Sequence, residues 1–130
     1  MSEDRKFGIV AEIKVSLTQE DVDNIMVSAL EGGINYWCRK AKVVEERRCG
    51  DWGHEQIARG GALILYDAES SDKWELNLEK FLNGVKLWLQ NSGDRYGALQ
   101  KDGTLDTGEI DGEMADIIVQ YALFGDVIYG

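Results

Sequence analysis

From Lys6 to Leu17 the chain alternates apolar and polar residues, with Ile9, Ala11, Ile13, Val15 and Leu17 on one face and Glu12, Lys14 and Ser16 on the other. A period of two predicts a half-buried strand. At Thr18 the period changes. Val22, Ile25, Met26, Ala29 and Leu30 recur three and four apart, which predicts an amphipathic helix. Thr18 is placed to cap it, with Asp21 three residues on. Gly32 or Gly33 is expected to end it as a left-handed cap.

Ile34 to Val44 reads as a second strand, with Ile34, Tyr36 and Cys38 inward and Asn35, Trp37 and Arg39 outward. The charged, glycine-containing stretch "EERRCGDWGHEQIARGG" follows as a loop. "ALILYD" (62–67) is a short apolar run that suits a central strand, and "KWELN" is its expected hairpin partner after the turn "AESSD". Leu78, Phe81, Leu82, Val85, Trp88 and Leu89 define a second helix, opened at Asn77 and stopped at Asn91–Gly93. A third takes its inner stripe from Ile110, Met114, Ile117, Ile118 and Tyr121, with Gly125 past its end. "DVIY" (126–129) is expected as a last edge strand.

The order β-α-β-β-β-α-α predicts a single α+β domain over residues 1–130, with about three helices packed on a small, mostly antiparallel sheet. Residues 1–5 are expected to be disordered. At 130 residues such a domain buries roughly two thirds of its unfolded surface. The chain has no Pro, which argues against a Pro-rich linker or docking stretch. The start "MSEDRKFGIV" does not read as a secretory signal, and no apolar run reaches transmembrane length. A cytoplasmic location with Cys38 and Cys49 as free thiols is therefore expected.

Charge changes the picture more than composition does. The formal net charge is −10, which disfavours direct binding to a nucleic-acid backbone. It is also uneven. Arg39–Arg59 holds six Lys/Arg against four Asp/Glu, a net of 6 − 4 = +2, whereas Asp102–Gly130 holds seven acids and no Lys or Arg, a net of −7. Asp102, Asp106, Glu109, Asp111, Glu113 and Asp116 are thus candidate contacts for a basic protein partner. Asp106 or Asp111 also suits an N-terminal cap of the third helix.

Motifs for chemistry are sparse. Cys38, Cys49 and His54 with Asp51 or Glu55 match no metal-site spacing, and a Cys–His nucleophile pair lacks anything that would activate it. A calcium loop beginning at Asp102 fails where it needs Gly, because Thr107 stands there, and again at Glu109. Phosphate-loop and nucleophile-elbow motifs are absent. The expectation is no enzyme, no cofactor and no metal. An alternative is a small-ligand module for a nucleotide-like anion, its pocket formed by Gly33, Asn35, Tyr36 and Trp37, with Arg59 meeting a phosphate. Trp74, Trp88, Phe81 and Tyr121 fall on inward stripes, leaving Trp37 and Trp52 as candidate exposed aromatics.

"ALEGGINYWC", "EQIARGGALILYDAE", "KWELNLEKFLNGVKLWL" and "GEIDGEMADIIVQYALFGDVIYG" together resemble a group of small uncharacterised acidic proteins from Gram-positive gut bacteria, their phages and prophages. The resemblance runs from about Thr18 to the last residue and carries no catalytic residues across. It implies a phage or prophage accessory protein that acts by protein–protein interaction, in particular an anti-defence inhibitor of a bacterial nuclease. A homodimer through an exposed Trp and the terminal "DVIYG" segment is compatible with the same pattern.

Overall fold

The computed structural model describes residues 5–9, 11–91 and 97–130. Its elements in chain order are α1 (Gln19–Ser28), β1 (Cys38–Val43), β2 (Leu63–Asp67), β3 (Lys73–Leu76), α2 (Leu78–Asn91) and α3 (Gly112–Phe124). The fold is α+β, with one three-stranded antiparallel sheet in the order β1-β2-β3. A continuous core joins sheet and helices, from Val22 on α1 to Ala122 on α3.

The start of α1 follows from its sequence. Thr18 Oγ1 accepts from Asp21 N–H at 3.0 Å, and Asp21 Oδ2 accepts from Thr18 N–H at 2.9 Å. These reciprocal bonds satisfy two donors the first turn would otherwise leave open. The helix then widens over Ala29–Gly33, where Ile34 N–H reaches back five residues to Ala29 O. Neither Gly32 nor Gly33 takes the left-handed conformation expected of a cap. Gly33 is needed for a different reason. A side chain there would collide with Gly112 O and stand 3.1 Å from Ser28 O, so the residue marks a close backbone crossing.

Because the chain keeps turning, with Trp37 and Cys38 N–H both bonded to Ile34 O, β1 starts only at Cys38. The expected inward set at the turn is therefore corrected. Ile34, Trp37 and Cys38, three and four apart, are buried, and Tyr36 is 56% exposed. β1 and β2 are joined by a long loop closed from within by Gln56, whose amide accepts from Cys49 N–H and donates to Cys49 O and Trp52 O. The expected β2–β3 hairpin forms and sets Leu65 opposite Trp74 and Leu63 opposite Leu76 on the core face.

Among the described residues 6–9 and 11–17 the expected first strand is not formed. Ser16 makes a single parallel bridge to Thr104, with its N–H on Gly103 O at 2.8 Å, and Phe7, Ile9 and Ile13 stand exposed. Alternation reports a potential face, but a strand needs a neighbour to pair with, and little of this segment has one. The expected strand at "DVIY" is also absent. Residues 126–130 instead turn back toward α3, with the N–H groups of Ile128 and Tyr129 on Gln120 Oε1 and Tyr129 half-buried. Residues 1–4, and residues 92 and 93 of the expected α2 stop, lie outside the described residues.

α3 is the central element, packed on α2, α1, β3 and the wide turn. Asp111 caps it at Met114 N–H and Gly125, at φ +72°, ends it. Its buried side matches the predicted stripe in part. Ile110 and Ile118 are buried as expected, together with Ala115, Val119 and Ala122, whereas Met114, Ile117 and Tyr121 are half-buried. Small residues explain the rotation. A Cβ on Gly84 of α2 would lie 2.5 Å from Ile118 O and 2.8 Å from the Ala122 Cβ, so the two helices touch nearly backbone to backbone.

Candidate functional site

The crossing of Gly33 on Gly112 brings the wide turn against the N-terminal end of α3, and the tail 126–130 closes the third side. Between them opens a cleft of about 740 Å³. Its charged lining is Glu31, Glu113 and Asp116, and it includes no Lys, Arg or His. Tyr36 forms one wall.

At its base lies a polar hub. Asp116 is 5% exposed, and its carboxylate accepts from Tyr36 Oη at 2.6 Å, Trp37 Nε1 at 2.7 Å and Gln120 Nε2 at 2.9 Å. All three donors are neutral side chains. Gln120 is itself completely buried, and its Oε1 accepts from the N–H groups of Ile128 and Tyr129, both at 2.8 Å. Tyr129 donates its hydroxyl to Asp67 Oδ1 at 2.9 Å and stacks on Trp37 with ring centroids 5.0 Å apart. Trp74 and Phe124 complete the aromatic cluster, their rings 4.9 Å apart. One carboxylate and one amide thereby join the turn, α3 and the tail.

Burial, then the bond to Asp116 and its charge, pushes the Tyr36 hydroxyl up to about 12. Burial, then Asp67, pushes Tyr129 up to about 12 as well. Both hydroxyls remain donors over the whole neutral range. Asp67 is held below its ordinary value, chiefly by the Ser70 hydroxyl and then by Tyr129.

The structure brings together some expected site residues and separates others. Asp102, Asp106, Glu109, Asp111 and Glu113 are exposed, in and just after the loop that leads into α3. Asp102 is turned onto the Thr104 hydroxyl and N–H, which lower its carboxyl, and Asp106 caps the short turn 107–109 at Gly108 N–H. Asp116 does not belong to that surface. It faces the interior, because its place on α3 lies toward Trp37 and Gln120.

Of the expected ligand pocket, Gly33 and Tyr36 line the cleft, but Asn35 lines a second cavity beside β1. Trp37, at 2% exposure, is no stacking platform, since Tyr129 already covers its ring. Arg59 is committed elsewhere, forked onto both carboxylate oxygens of Asp23 at 3.0 and 3.1 Å. Trp52 is exposed. The hub residue Gln120 was missed, although a lone Gln inside "IIVQYALF" signals a buried amide that must find partners.

Among the described residues no group of three His, Cys, Asp or Glu is placed to hold a metal ion. Cys38 and Cys49 are free, and burial raises the Cys38 thiol. No described helix is long and apolar enough to cross a membrane. Comparison of the chain with protein-family models, with curated proteins and with solved structures finds no match.

Proposed function

We propose that this is a binding protein whose cleft between the wide turn and α3 receives a basic segment of a protein partner. The observation that supports the reading is the lining itself, three carboxyl-bearing side chains with no cation among them. The exposed acids Asp102, Asp106, Glu109 and Asp111 extend the same sign of charge along the loop leading into α3. A cleft of this sign repels a nucleotide-like anion and favours a Lys- or Arg-bearing chain. Under the resemblance given above, the partner class is a host defence nuclease with a basic nucleic-acid channel, and the protein inhibits it by occupancy rather than by catalysis.

The test is titration of a labelled Arg-rich peptide at low ionic strength. The Glu31→Lys/Glu113→Lys double variant is expected to bind at least tenfold more weakly than the unaltered protein. Glu20→Lys/Glu79→Lys carries the same change of net charge on residues that do not line the cleft, and it should bind nearly as well as the unaltered protein. Equal losses in both double variants would show attraction to overall charge alone and end the cleft reading.

A further inference from the structure

The opposite sign of charge collects on the sheet, at an edge with unused backbone groups. β1 is an edge strand, paired with β2 on one side only. Val44 N–H bonds Ala62 O at 3.0 Å, so in the alternating antiparallel pattern Lys42–Ile64 and Lys40–Tyr66 are the bonded pairs. The N–H and C=O groups of Ala41 and Val43 therefore point away from β2, toward the open edge. Among the described residues no turn or side chain bonds them.

Beside this edge lies the second cavity, about 300 Å³, walled by Leu30, Ile34, Asn35, Cys38, Arg39 and Lys40 among others. Arg39, Lys40 and Lys42 are exposed, and none takes part in the three ion pairs found among the described residues, which use Arg47, Arg48 and Arg59. Two of the three cations are held in place. Arg39 donates from Nε to Asp67 O at 3.1 Å with its guanidinium 5.2 Å from the Tyr66 ring centre, and the Lys40 ammonium stands 5.9 Å from the same centre.

We propose that the outer edge of β1 is a docking site for an extended acidic segment of a partner protein, which adds as a fourth strand. Backbone pairing to Ala41 and Val43 supplies the register, Arg39, Lys40 and Lys42 meet the carboxylates, and the cavity over Leu30 and Ile34 receives one apolar side chain. The cations also decide what does not bind. A second β1 laid against this edge would oppose like charges, and the stretch Arg5–Val15 of a second copy carries Arg5, Lys6 and Lys14 against Glu12 alone in its sequence. The site is separate from the acidic cleft and does not depend on it.

The probe is a labelled octapeptide alternating Glu and Val, followed by fluorescence anisotropy and by hydrogen exchange at the Ala41 and Val43 amides. Binding is expected at low salt, with exchange at both amides slowed at least tenfold. Lys40→Glu/Lys42→Glu should weaken it at least tenfold. Ala41→Pro, which removes an outward donor while sparing the bonds to β2, should weaken it with the fold retained. The same peptide N-methylated at its Val residues, whose N–H groups would face Ala41 and Val43, should fail to bind. Equal binding of the methylated peptide, unchanged exchange at both amides, or no binding of the alternating peptide would each overturn the proposal.

Discussion

Replacing Asp116 with Ala removes the acceptor on which the turn, α3 and the tail converge. Three donors lose their partner, but they do not count equally. The Tyr36 hydroxyl belongs to a residue 56% exposed and can turn to water. Trp37 Nε1 and Gln120 Nε2 belong to side chains almost wholly enclosed. Each orphaned buried donor costs about 1–3 kcal/mol, and Gln120 keeps a weaker contact to Tyr129 O at 3.3 Å, so Asp116→Ala should cost about 2–5 kcal/mol. Asp116→Asn is the informative comparison. Its carbonyl oxygen can still accept from Trp37 and Gln120, while its amide donates to a Tyr36 hydroxyl turned to accept, so the loss should stay below about 1.5 kcal/mol. Urea unfolding, followed by both tryptophan fluorescence and circular dichroism, measures both values. If Ala cost no more than Asn, the hub would contribute little as a set of hydrogen bonds and the reasoning would be refuted.

Two further outcomes follow from contacts described above. Ala is favoured over Gly inside a helix by about 1 kcal/mol, yet Gly84→Ala should destabilise by about 1–3 kcal/mol, because its Cβ meets Ile118 O at 2.5 Å and the helices must part. Gly32→Ala, with no atom within 4 Å of the added carbon, should be close to neutral in the same urea unfolding measurement. Raising the pH tests Tyr36 and Tyr129. Their folded values near 12 lie above the ordinary 10.0, so their contribution is full below pH 10 and is lost as the pH climbs through 12. Tyr36 and Tyr129 should ionise late in an absorbance titration, together with alkaline unfolding, and ionisation of both near pH 10 with the fold intact would contradict the assignment.

The sequence was most legible where one local rule decided the outcome. The Thr18–Asp21 cap, the "ALILYD"–"KWELN" hairpin and the face of α2 around Phe81, Val85 and Trp88 each depend on residues only a few positions apart. It was least legible where a distant backbone intervened. Gly33 looked like a helix stop because the sequence does not show Gly112 lying against it. The turn runs on past that contact, so β1 begins only at Cys38 and the sides of Tyr36 and Trp37 are exchanged. Large apolar residues likewise misled the reading of α3, since the closest approach is made by Gly84 and Ala122, whose small size carries no signal of its own. At the candidate site the exposed acids were legible by composition. Asp116 was not, because a carboxylate partnered by an indole, a phenol and an amide from remote positions has the same letter as one in water.

The tail that stacks Tyr129 over Trp37 also has a meaning for the order of synthesis. Trp37 emerges from the ribosome long before Tyr129, and Gln120 finds the N–H groups of residues 128 and 129 only once these too are free. A chain still being translated can form the β2–β3 hairpin and α1, yet it carries an indole without its stacking partner until Tyr129 appears. Folding of this domain therefore closes only once Tyr129 has emerged, and the interval is when an incomplete chain most needs a chaperone to shield that ring.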